Sequence, residues 1–186
     1  MKLFALYGQV DLMKKPDWLD AFRVEFDEPY EYHITFKQPC FIPDEDIPEI
    51  KERYRIFFNS VVVPEHRIPV VYRSWSVGQT THGSCLMVAA QPNPLLEKIQ
   101  KGIVQIGSTY LDFCKPGSEQ WERDFKPHLT IARHLDAQRL SQAVERLREK
   151  GVFTCEAVIS QVYLSVVMND TVEEANKPQN HTIFAL

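Results

Sequence analysis

The sequence is poor in the features that mark several large protein classes. It has four cysteines, Cys40, Cys85, Cys114 and Cys155, widely spaced and without a C-x-x-C pair. Buried free thiols are therefore expected rather than structural zinc. No Asp or Glu stands at ligand spacing from the histidines that matter below, so no metal is expected. A G-x-x-x-x-G-K phosphate loop is missing, which argues against a nucleoside triphosphatase. Basic excess is missing too: the formal net charge is −4. That is wrong for an extended surface gripping long DNA or RNA, but compatible with a local Lys/Arg cluster around one phosphate. The partner this leaves is a small nucleotide or an RNA end.

Long apolar runs are lacking as well. Met1 to Tyr7 is soon followed by Asp11, Lys14 and Lys15, too short for a signal-peptide core or a membrane span. A cytoplasmic protein with no membrane association is expected. No stretch is low-complexity and no linker divides the chain. Its 186 residues suit a single domain over 1–186, either one body or two intimately packed lobes, and a monomer is expected.

Against this plain background one pattern recurs. Apolar–His–apolar–Thr–apolar occurs as Tyr32-His33-Ile34-Thr35-Phe36 and, more loosely, as Pro127-His128-Leu129-Thr130-Ile131. Alternate side chains of a strand share a face. Each copy therefore turns a His and a Thr one way and two apolar residues the other. Two such copies arise by chance in on the order of one chain in a hundred. If the strands lie side by side, two imidazoles and two hydroxyls face one cleft.

Strands are expected at Leu3–Gly8, Tyr30–Lys37, Val61–Val63, Ile68–Val77, Ser84–Ala90, Lys126–Arg133, Ala157–Met168 and His181–Leu186. Helices are expected near Asp17–Phe26 and Ile47–Asn59. A third starts at Asn93-Pro94, with Leu95, Ile99, Ile103, Ile106 and Tyr110 on its apolar face and Gly102 allowing close packing. A fourth is capped by Asp136 and closed by Gly151. The motif histidines stand half a chain apart, as two similar α+β halves sharing a cleft would require.

At these residues the chain resembles the two-histidine (2H) phosphoesterase superfamily, which includes LigT-type 2′-5′ RNA ligases and 2′,3′-cyclic phosphodiesterases. His33, Thr35, His128 and Thr130 match the paired motif residue by residue, and Phe125 to Arg133 (FKPHLTIAR) is especially similar to the second motif of LigT-like members. The chain differs after the first motif, running on as Lys37-Gln38-Pro39-Cys40. The resemblance implies a bilobal α+β fold, two lobes of antiparallel sheet and helices flanking a central cleft. It also implies metal-independent hydrolysis of a 2′,3′-cyclic phosphate or a 2′-5′ phosphodiester, reversible as ligation, with no cofactor.

The residue types suit that chemistry. Histidine titrates near neutrality, so one imidazole can activate water while the other protonates the leaving oxygen. Thr35 and Thr130 are expected to donate to the non-bridging oxygens. For hydrolysis the working expectation is His128 as base and His33 as acid. Arg133 is a candidate phosphate contact, although strand parity puts it opposite His128. Tyr72, Arg73, Trp75 and Phe36 are candidates for contact with the rest of a substrate, the aromatics by stacking on a base. Lys37 and Lys126 would add local positive charge. His66, His82, His134 and His181 are read as structural. The alternatives are a catalytically silent module binding a nucleotide or RNA end, and a hydrolase using the histidines as metal ligands.

Overall fold

A computed structural model describes residues 1–26, 28–61, 63–80 and 83–186. The strands are β1 (Lys2–Lys14), β2 (His33–Ile42), β3 (Ile68–Thr80), β4 (Gly83–Ala90), β5 (His128–Leu135), β6 (Cys155–Val167) and β7 (His181–Ala185). The helices are α1 (Leu19–Glu25), α2 (Ile47–Ser60), α3 (Pro94–Ile106), α4 (Ser118–Arg123), α5 (Ala137–Lys150) and the single turn α6 (Val172–Ala175). The class is α+β, as the sequence implied.

The strands form one antiparallel sheet in the order β2-β1-β6-β3-β4-β5. β6 serves both halves. Along one edge it pairs with β1; along the other, Cys155–Ile159 pair with β3 and Gln161–Ser165 with β7. The two motif strands β2 and β5 stand at opposite ends of this order. They nevertheless pack against one another, without a backbone ladder between them among the described residues. Curling of the sheet brings these two end strands into contact.

Helices cover the apolar side. α3 and α4 lie against β2, and α1 and α5 against β5. Phe4, Leu6, Ile34 and Phe36 from one half join Leu86, Val88, Leu129 and Ile131 from the other in one apolar cluster. The expected caps are present. Asn93 Oδ1 accepts from the Leu95 and Leu96 amides at 3.0 and 3.3 Å, and Asp136 Oδ1 accepts from Arg139 N at 2.8 Å. A methyl on Gly102 would strike the Phe57 ring, so the close α2–α3 approach needs that glycine.

Several boundaries differ from expectation. β2 runs on to Ile42 through Pro39; beside its ladder with β1 it has an isolated bridge, Cys40 to Phe113, in which Pro39 O accepts from Cys114 N at 2.9 Å, so the proline is used as an acceptor only. α3 stops at Ile106, so Tyr110 lies beyond it and donates to Asp46 Oδ2 at 3.1 Å instead of extending its face. Helices α4 and α6 were not expected, being too short to show a period. No strand includes Val61 or Val63: Val61 caps α2, and Val62 lies outside the described residues, as does His82. Three cysteines are buried and Cys114 is half-buried, all as free thiols. Among the described residues no helix is long and apolar enough to cross a membrane.

Candidate functional site

His33 and His128 open their strands and are held in the same way. His33 Nδ1 lies 2.8 Å from the carbonyl oxygen of Glu31, and His128 Nδ1 lies 2.8 Å from that of Lys126. A carbonyl only accepts, so each Nδ1 carries the proton and donates. The two Nε2 atoms are left with their lone pairs for chemistry. Two residues on, Thr35 and Thr130 are half-buried, while Ile34, Phe36, Leu129 and Ile131 are buried on the other face. No hydrogen bond to a described residue engages either threonine hydroxyl, which leaves both as donors for an incoming anion.

Burial weighs on both imidazoles. It pushes His33 down to about 4, helped by the positive charges of Arg133, His128 and Arg23 against the Glu31 hydrogen bond. It also lowers His128, opposed by the bond to Lys126. A histidine whose folded pKa lies below its ordinary 6.5 binds its proton first in the unfolded chain. Its contribution to stability is complete above that value and is lost as the pH falls toward about 4. The melting temperature of the wild type should therefore fall more steeply than that of His33→Asn between about pH 7 and pH 4. Parallel slopes would show that His33 is not buried in this way.

Arg133 occupies a place that strand parity did not foresee. The β4–β5 register pairs Met87 with Thr130 but Leu86 with Ala132, a bulge that puts Ile131 and Ala132 both on the buried side. The extra residue turns Arg133 back to the histidine face. There its Nε bonds Glu28 Oε2 at 2.7 Å, with side-chain exposures of 22% and 1%, and its guanidinium lies 4.3 Å from the centroid of the Tyr30 ring. Tyr30 in turn stands edge-on to His33, the ring centroids 6.2 Å apart.

A bulge of the same kind in β2 turns Lys37 away from the face of the histidines. β1 pairs Leu6 with Lys37 but Tyr7 with Thr35, so Phe36 and Lys37 both turn to the core. Lys37 therefore adds no positive charge at the site. Its Nζ bonds Glu122 Oε1 and Oε2 at 2.9 and 3.2 Å, with side-chain exposures of 1% and 7%. Glu122 Oε1 also accepts from Gln38 N at 2.8 Å, which locks α4 onto the strand that carries His33.

The candidates for further substrate contact lie away from the histidines. Phe36 is buried and stacks on Phe125 at 5.9 Å. Tyr72 is fully buried in the core. Trp75 pairs with Val88 and, through it, Leu129, so it shares their face, opposite His128. Arg73 is exposed beside a register shift in β3. Lys126 is exposed and supplies the carbonyl for His128. His66 Nδ1 bonds the carbonyl of Leu186 and His181 Nε2 that of Ala175, both fastening termini of the fold.

Residues that the sequence reading did not select stand around the histidines. Tyr7, cross-strand partner of Thr35, lies edge-on to His33 at 5.0 Å and tilted to Tyr163 at 5.3 Å. Burial raises the Tyr7 phenol above its ordinary range, so it stays neutral. Trp121 of α4 lies 6.0 Å from His128. Tyr7 was legible in principle, because it alternates with the buried Leu6 in a recognised strand. Glu28 and Trp121 carry no local signal, being brought in by long-range packing. Among the described residues no three His, Cys, Asp or Glu side chains form a group able to hold a metal ion.

No protein-family model matches the sequence, and no curated protein does. Solved structures do match in shape. Kluyveromyces marxianus Usb1 aligns with a TM-score of 0.51 at 13% identity over 99% of this chain and 98% of its own. The same protein with uridine monophosphate gives 0.51 at 12% identity, over the same shares of both chains. TT0787 of Thermus thermophilus gives 0.53 at 18% identity over 100% and 95%. At these identities the likeness shows the fold alone: an α+β chain built on one seven-stranded antiparallel sheet, consistent with the α+β class that the resemblance implied.

Proposed function

We propose that this chain is a metal-independent phosphodiesterase acting on a 2′,3′-cyclic phosphate or a 2′-5′ phosphodiester at an RNA end or in a nucleotide. The observation that carries the proposal is the mirrored pair of histidines. Each is fixed through Nδ1 to the carbonyl two residues back, and each has a free threonine hydroxyl two residues on. A mononucleotide-sized occupant is supported by the structure of Usb1 with uridine monophosphate.

One neutral histidine Nε2 takes a proton from water as its oxygen attacks phosphorus. The bond from phosphorus to the 2′ or 3′ oxygen breaks, and the other histidine, protonated, gives that oxygen its proton. Charge gathers on the non-bridging oxygens, where the Thr35 and Thr130 hydroxyls and the Arg133 guanidinium are the donors. Arg133 and Arg23 add to burial in opposing a proton on His33, whereas for His128 burial is the lowering influence. We therefore assign His33 as base and His128 as acid, the reverse of the expectation from sequence. With a 5′-hydroxyl in place of water, the same steps join it to a cyclic end: the new bond forms from that oxygen to phosphorus, the bond from phosphorus to the 3′ oxygen breaks, and that oxygen takes the acid's proton.

The test is turnover of the four nucleoside 2′,3′-cyclic monophosphates in excess EDTA, with His33→Ala and His128→Ala alongside. Turnover that survives the chelator and disappears in both variants supports the proposal. Turnover abolished by EDTA refutes it in favour of a metal site. Nucleotide binding without turnover makes the chain a binding module. Arg133→Met should raise KM for the same substrates about tenfold, as loss of a charge-assisted contact does.

A further inference from the structure

β7 forms an open edge of the sheet. Its register with β6, from Gln161 opposite Ala185 to Ser165 opposite His181, has no shift. The pairing continues one residue further, where Leu186 N donates to Ser160 O at 3.1 Å. In an antiparallel ladder hydrogen-bonded pairs alternate with open ones. The backbone groups aimed at β6 are therefore those of Thr182, Phe184 and Leu186. Those of His181, Ile183 and Ala185 point outward, and among the described residues no hydrogen bond engages them.

Other edges of the sheet are shielded. Segment 112–114 covers the end of β2, where Phe41 N donates to Asp112 O at 2.8 Å and Cys114 N to Pro39 O at 2.9 Å. The free side of β3 beyond Tyr72 has a register shift and the charged Arg73. Charge, proline and bulges are the usual means of blunting an edge. From His181 to Ala185 there is no Asp, Glu, Lys, Arg or Pro. The strand is also held in place from behind. Phe184 is buried and stacks on Phe58 at 4.9 Å, and the Leu186 carbonyl bonds His66 Nδ1 at 2.9 Å. Ile183, opposite Tyr163, is nevertheless 61% exposed.

We infer that β7 is the seam of a homodimer, pairing antiparallel with β7 of a second copy so that Ile183 faces its own counterpart across a two-fold axis. In this register every outward group finds a partner. The two Ile183 residues exchange N–H to O=C bonds, and His181 of each copy does the same with Ala185 of the other. A slip of two residues would leave His181 or Ala185 unpaired. The side chains agree: two isoleucines lie together, and each imidazole stands opposite a methyl, so no charge meets its like. The axis is perpendicular to the sheet. Ile183 shares the face of Tyr163, Tyr7 and Thr35, so the histidine faces of both copies open to the same side. The seam is independent of the reaction proposed above, and it replaces the monomer expected from sequence.

A five-residue strand pair is a small interface, so Kd should be on the order of 10⁻⁵ M. Sedimentation equilibrium of the wild type, over concentrations spanning that value, should show monomer and dimer in exchange. A monomer mass throughout would overturn the inference. Ile183→Lys and Ile183→Glu should each weaken association about tenfold, through like charges facing one another. Mixed in equal amounts, the two variants should associate more tightly than either alone, because a lysine then faces a glutamate. A mixture no tighter than its components would overturn the register. Amide hydrogen exchange of the wild type needs no variant. The amides of His181, Ile183 and Ala185 should exchange more slowly at high protein concentration than at low, while those of Thr182, Phe184 and Leu186 stay unchanged. A dimer without that alternation would place the seam elsewhere and overturn the inference.

Discussion

Replacing His33 or His128 with alanine should each lower turnover of a 2′,3′-cyclic nucleotide by about 10²- to 10⁴-fold, the range lost with a general acid or base. The two losses should not multiply in the double variant. Once one end of the proton path is missing, the other histidine has little left to do. The pH profile gives a sharper check. Burial lowers both imidazoles, His33 to about 4 and His128 below its ordinary 6.5. In the free protein kcat/KM should therefore be bell-shaped with its maximum on the acid side of 6.5. Activity falls below the bell because the base is protonated, and above it because the acid has lost its proton. The kcat profile should lie at higher pH, since a bound phosphodiester anion favours the imidazolium. A profile with a single limb, or one centred well above neutrality, would contradict a pair of half-buried imidazoles held below their ordinary value.

The largest stability effect is expected far from any reacting atom, at Lys37 and Glu122. Breaking a buried ion pair by removing one partner strands the other charge in the core, at a cost of about 3–5 kcal/mol. That is a large part of the total stability of an ordinary domain, about 5–15 kcal/mol. Lys37→Met should show it, leaving the Glu122 carboxylate only 7% exposed with no cation. Glu122→Leu should cost at least as much, because it also removes the acceptor for Gln38 N. The double variant Lys37→Met/Glu122→Leu should recover much of the loss. Urea unfolding followed by circular dichroism measures all three. A single-variant loss below about 1 kcal/mol would mean that the pair behaves as a solvated surface bridge.

Much of the local architecture was legible before any coordinates. The Asn93 and Asp136 caps and the closure of α5 at Gly151 depend on residues within a few positions of one another, whereas the partner that Gly102 makes room for, Phe57, comes from another helix. The pairing of His with Thr on one face was legible for the same reason, since it needs only the two-residue period of a strand. That same rule puts Arg133 on the wrong face, and it gives no sign that Lys37, expected to add positive charge, turns to the core. Each lies just past a bulge, and a bulge shifts parity by one without a recognisable mark in the sequence. Phe36, Tyr72 and Trp75 were candidates as aromatics in strands, but such residues are as useful to a core as to a ligand, and the core has them.

The sequence by itself determined that His33 shares a strand face with Thr35 and His128 with Thr130, because imidazole and hydroxyl are properties of side chains and their alternation is local. It also determined where most helices and strands begin, through caps, prolines and apolar period. Tertiary structure decided the rest. It curled the sheet until its two outermost strands met, turned Arg133 to the face of the histidines and Lys37 away from it, and drew in Glu28, Tyr30, Tyr7 and Trp121. Those placements depend on register, bulges and packing between residues tens of positions apart, energies that no short window of sequence contains.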